Sequence, residues 1–60
     1  MDRAKRIQYI QQRLTEAAGP VRGSDLAKEC DVTRQVIVGD VAHMRALGER
    51  IISSPRGYRM

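Results

Sequence analysis

The stretch from Thr33 to Gly48 constrains this chain more than any other. Thr33 is a strong N-cap and Gly48 suits the position just past a helix end, so the span predicts one helix punctuated on both sides. At 3.6 residues per turn, Val36, Ile37, Val41, Met44 and Leu47 share one face, and Gln35, Val38, Gly39, Ala42 and Ala46 share the opposite one. The second face is unusual. A solvated helix face normally carries long charged side chains, whereas this one is slim, nearly uncharged and bears a lone valine. Such a surface suits close approach by a partner, and a nucleic-acid groove is the leading candidate.

Sixty residues allow one small domain, which buries only about 60% of the surface its unfolded chain exposes. A separate catalytic or ligand-binding domain has no room. Because the chain stops at Met60, just after Tyr58-Arg59 in an apparent strand, the expectation is a single domain over 1–60 cut from a longer protein. A free-standing module is the alternative. Eleven basic and seven acidic residues give a net charge of +4, which in so short a chain favours an anionic partner. Arg50, Arg56 and Arg59 close the chain with no carboxylate beyond Glu49, and Arg3, Lys5 and Arg6 crowd its start. Taken singly, each of these is equally readable as an ordinary solvated charge.

A single cysteine, Cys30, excludes an internal disulfide framework and fits the reducing cytoplasm. No apolar run approaches the roughly 20 residues of a membrane span, and nothing resembles a signal peptide. With no Trp or Phe and two Tyr, a stacking platform for single strands is not expected. One His (His43) and one Cys do not make a metal site, His43 has no orienting carboxylate, and there is no glycine-rich phosphate loop. The expectation is a binding domain rather than an enzyme.

Read in order, Arg3 to Ala17 predicts a first helix with Ile7, Ile10, Leu14 and Ala17 as its apolar stripe and Asp2 at its positive end. Tyr9 lies off the stripe, either at the core edge or toward a partner. Gly19-Pro20 ends the helix, and Val21-Arg22 suits a very short strand. Gly23 to Glu29 predicts a second helix burying Leu26, Ala27 and Cys30. Asp31 tolerates the left-handed backbone of a tight turn, and Thr33 opens the third helix. Two helices joined by so short a turn, with small Ala27 at their crossing, make a helix-turn-helix. Then the period changes. Arg50–Ser54 reads as a strand, Pro55-Arg56-Gly57 as a turn and Tyr58–Met60 as a returning strand. A lone hairpin is unstable, so Ile51 or Ile52 and Tyr58 should pack on the helices. The fold class expected is α+β, mainly α: a winged helix-turn-helix with a three-helix core and a C-terminal hairpin wing.

Val32–Val41 together with Ile51-Ile52-Ser53-Ser54-Pro55-Arg56-Gly57-Tyr58 resembles the N-terminal DNA-binding domain of the niacin-responsive transcriptional repressors of bacteria. The resemblance covers most of residues 6–60. Its specific parts are the Arg-Gln-Val-Ile-Val run and the Pro-Arg-Gly-Tyr turn. The same half is also similar to that of the bifunctional biotin ligase-repressors. In the niacin-responsive family the winged helix is joined to a C-terminal domain that senses nicotinic acid and binds a metal. The resemblance therefore implies no cofactor within 1–60, a double-stranded DNA operator as partner, and a monomer or weak homodimer for this piece alone, with a homodimer for the full-length protein. Gly39 departs from the family pattern, since similar sequences tend to carry a longer polar side chain there.

A helix-turn-helix reads base edges with the first turns of its second helix. Gln35 can pair bidentately with adenine and Val38 can touch a thymine methyl. Arg34, nearer the flank, can reach guanine or phosphate. Thr33 can cap its helix while also meeting a phosphate, Ser24 can meet another, Gly39 lies on the same face, and Arg56 at the wing tip can enter the minor groove. Asp40 falls on the inner flank, which points to a structural ion pair. The main alternative is a winged helix used for protein contact, burying Val38, Ala42 and Ala46 against another chain.

Overall fold

A computed structural model describes Met1–Met60. Three helices, α1 (Arg3–Glu16), α2 (Gly23–Cys30) and α3 (Arg34–Ala46), are followed by an antiparallel hairpin, β1 (Ile52–Ser54) and β2 (Gly57–Arg59). This is the winged helix-turn-helix order expected from the sequence. No helix is long and apolar enough to cross a membrane.

The helix boundaries are set by side chains acting locally. The Asp2 carboxylate accepts the Lys5 N–H (2.9 Å) and caps α1, and the Thr33 hydroxyl accepts the Val36 N–H (3.3 Å) and caps α3. Asp31 ends α2 with φ 56° and ψ 47°, the left-handed conformation its short polar side chain tolerates. After α3, Gly48 takes φ +96°. Its N–H bonds the Arg45 carbonyl (3.0 Å) while the Glu49 N–H bonds that of Met44 (3.1 Å), the double closure of a Schellman motif. This turn corrects one expectation. Leu47 continues the apolar period, but the chain leaves the helix there and the side chain is 66% exposed.

One core joins the three helices: Ile10 and Leu14 from α1, Leu26, Ala27 and Cys30 from α2, Ile37, Val41 and Met44 from α3, with Val21 and Ile51 from the connecting segments and Tyr58 of β2 packed against it. Ala27 is buried in this core, and its carbonyl accepts the Val32 N–H (2.9 Å) in the turn between α2 and α3. Burial raises the pKa of the Cys30 thiol, consistent with a packing role. Tyr9 belongs to the core edge. Its hydroxyl donates to Glu29 (2.6 Å), which also accepts from Arg13, so α1 and α2 are tied at the surface. The Tyr9 bond, then Arg13, hold the Glu29 carboxyl below its ordinary pKa.

The wing is docked rather than free. Val21 and Tyr58 exchange two backbone hydrogen bonds of 2.8 Å, adding a one-residue third strand beside β2. The turn narrows to Pro55-Arg56, and β1 starts at Ile52, later than the expected Arg50. Ile51 turns into the core, and its carbonyl accepts Nε and Nη2 of Arg45 (3.1 and 2.9 Å). Arg45 Nη2 also reaches Ser53 Oγ (2.6 Å), so α3 itself grips the base of the wing.

Candidate nucleic-acid interface

The outer face of α3 is open. Gln35, Ala42 and Ala46 are exposed and Val38 is 48% exposed, so the hairpin leaves the slim row open and α1 reaches it only at half-buried Gly39. Arg34, Gln35 and Val38 line one shallow groove on this face.

A second, open cleft lies between the start of α2, the start of α3 and the wing. Its volume is about 330 Å³, and Arg22, Gly23, Ser24, Arg34, Ser53, Ser54, Pro55, Gly57 and Tyr58 line it. The backbone explains its shape. Gly23 lets the Tyr58 ring and the Arg34 side chain lie close: a Cβ there would stand 3.2 Å from Tyr58 Cε2 and 3.6 Å from Arg34 Nε. Neither Arg22 nor Arg34 has an acidic partner within salt-bridge distance. The Ser54 hydroxyl donates to the Gly57 carbonyl (3.2 Å), which leaves two guanidinium groups and the Ser24 and Ser53 hydroxyls as donors suited to an anion with several oxygen acceptors.

The residues singled out from sequence are thus divided. Ser24 and Arg34 share the wing cleft, and Arg34, Gln35 and Val38 share the α3 groove. Thr33 is exposed at the head of α3, its oxygen occupied as acceptor by the cap. Arg56 is exposed at the wing tip, outside both depressions. Gly39 is half-buried: Arg3 lies over it, Nη2 standing 3.6 Å from where a Cβ would be. Arg22, Ser53 and Ser54 also line the wing cleft, and sequence reasoning misses them. The only sequence signal for them was proximity to the Gly-Ser and Pro-Arg-Gly turns.

The N-terminal basic cluster is partly consumed by the fold. Arg3 and Arg6 are not simply free charges, because both converge on Asp40, which is 0% exposed. Arg6 donates from Nε to Oδ2 (2.6 Å) and from Nη2 to Oδ1 (3.2 Å), and Arg3 donates from Nε to Oδ1 (3.1 Å). Burial alone pushes the Asp40 pKa up. The hydrogen bonds and charges of Arg6 and Arg3 outweigh that and hold it below its ordinary value. The inner-flank ion pair expected for Asp40 is therefore present, and it fixes α1 against α3.

Comparison with known proteins agrees with this architecture. A family model described as an HTH domain matches residues 6–59. The probable transcription repressor NiaR of Thermotoga maritima is 46% identical over 56 residues, covering 93% of this chain and 32% of that protein. The transcription repressor NadR of Bacillus subtilis is 42% identical over 45 residues, covering 75% of this chain and 25% of that protein. The chain thus spans between a quarter and a third of the length of these relatives. From the helix order, the docked wing and a match over nearly its whole length, the chain belongs to the HTH domain family.

Proposed function

We propose that this domain binds double-stranded DNA sequence-specifically as the DNA-binding part of a cytoplasmic transcription repressor of the niacin-responsive type. In this reading α3 enters the major groove and the wing tip lies near the minor groove. The observation that carries it is the uncovered row of Gln35, Val38, Ala42 and Ala46, bordered by the unpaired guanidinium of Arg34. A B-DNA major groove, about 12 Å wide, admits one helix, and small uncharged side chains let that helix seat deeply. Gln35 then meets an adenine edge and Val38 a thymine methyl. Thr33, Ser24 and Arg34 meet phosphates or the adjoining base, and Arg56 follows the minor groove. This mode of binding needs no cofactor and no chemical step. One domain engages a half-site as a monomer or weak dimer.

Selection from a pool of random duplexes tests the proposal. A defined sequence should be enriched, and Gln35→Ala should bind it about 1–3 kcal/mol more weakly with relaxed base preference. Arg56→Ala should weaken cognate and random duplexes alike and flatten the salt dependence. No enrichment, or equal loss on cognate and random duplex for Gln35→Ala, argues against base readout.

A further inference from the structure

We infer that Arg3, on α1, is a DNA-contacting residue that supplies across Gly39 the polar group α3 itself lacks there; this rests on the duplex-binding reading above. Arg3 and Arg6 share Asp40 but are used differently. Arg6 is consumed by the fold: Nε and Nη2 bond both carboxylate oxygens and Nη1 bonds the Met1 carbonyl (3.0 Å). Arg3 is anchored through Nε alone (3.1 Å), and neither Nη has a hydrogen-bond partner in the protein. Its side chain is 52% exposed. The result is a guanidinium clamped at its stem, with the fork open to solvent.

The placement of that fork is what matters. Gly39 stands one turn after Gln35, on the same row of α3, so the two address neighbouring parts of anything seated against the row. Arg3 Nη2 lies 3.6 Å from the position of the missing Gly39 Cβ. The fork therefore lies in van der Waals contact with the point where a side chain of residue 39 would begin. On the α3 wheel, Arg34 and Asp40 fall on opposite sides of the Gln35–Gly39–Ala42 row. Arg34 leans toward Gly23 and the wing cleft, while Asp40 holds Arg3 on the other border. A duplex pressed onto the row meets one guanidinium on each flank. The free Nη pair matches two adjacent acceptors, either O6 and N7 of a guanine or two oxygens of a phosphate. Anchoring by Asp40 lowers the ordering cost that a free surface arginine incurs on binding.

Arg3→Ala should fold, since Arg6 alone satisfies both Asp40 oxygens, and its thermal melt checks this directly. With the 60-residue chain and the selected duplex, Arg3→Ala should lose affinity about tenfold. Arg3→Lys, which keeps the charge and the Asp40 pairing but has no fork, should also bind more weakly than the unaltered chain. A loss confined to the selected sequence identifies a base edge. A loss shared with random duplex, with the salt slope reduced by about 1, identifies a phosphate. Folded Arg3→Ala binding as tightly as the unaltered chain, while Gln35→Ala loses its preference, overturns the inference and leaves duplex recognition standing. An unaltered chain that binds no duplex overturns both.

Discussion

Asp40→Ala should lower the melting temperature at neutral pH by on the order of 10–20 °C. The side chain is fully enclosed, and it is the only carboxylate paired with Arg3 and Arg6. Removing one member of a fully buried ion pair leaves the other charge uncompensated, typically at about 3–5 kcal/mol. Here the guanidinium groups keep some access to water, with side-chain exposures of 52% for Arg3 and 13% for Arg6. The loss should therefore be nearer about 2–3 kcal/mol. In a chain this small, that is a large share of the total. Asp40→Asn keeps the shape and one acceptor but no charge, and should recover only part of it. A melt within about 2 °C of the unaltered chain for Asp40→Ala would remove the triad from the stability of the fold.

The same carboxylate gives the fold a pH signature. Its folded-state pKa lies below the ordinary 3.8. The stabilisation is therefore complete above that value and is lost as pH falls through it toward the depressed one. In acid melts the gap between the unaltered chain and Asp40→Asn should be widest near neutrality and close below pH 3.8. A gap that stays constant on acidification would mean that the charge of Asp40 is not what stabilises the contact.

Gly57→Ala should detach the wing. Gly57 has φ +132°, a conformation in which L side chains are strained, and an added Cβ would stand 2.5 Å from the Val21 carbonyl oxygen. The obstacle is backbone, so no side-chain rotation relieves it. The two Val21–Tyr58 hydrogen bonds must then open or the hairpin must shift. Backbone strain of this kind costs about 1–3 kcal/mol, and loss of the docked Tyr58 and Ile51 adds to it. Amide exchange at Val21 and Tyr58 should accelerate well before that of Ile37 or Val41 in the helical core. Unchanged protection at Val21 would show that the close approach at Gly57 is not what holds the wing.

Much of this was legible because the deciding chemistry is local. Asp2, Asp31, Thr33 and Gly48 act within a few residues of themselves, so their side chains and backbone preferences announce the helix ends. The hairpin followed from a change of period and one turn. Long-range destinations were not legible. Periodicity turns Asp40 inward, but its cations arrive from 34 and 37 residues away. Arg3 and Arg6 therefore looked like surface charge. Arg45 is similar: its place on the flank of α3 is local, whereas its grip on Ile51 and Ser53 depends on the path of the wing. Leu47 misled because an apolar period does not register that the helix has already been capped.

The most direct measurement is an amide-shift titration of isotope-labelled chain with the selected duplex. The largest changes should fall on Gln35, Val38, Gly39 and Ala42, with smaller ones at Ser24 and Arg56 and little along the exposed face of α1 that carries Gln8 and Gln12. A saturable shift pattern centred on that α1 face, or concentration-dependent shifts at Val38, Ala42 and Ala46 that ignore added DNA, would contradict an interface built on α3.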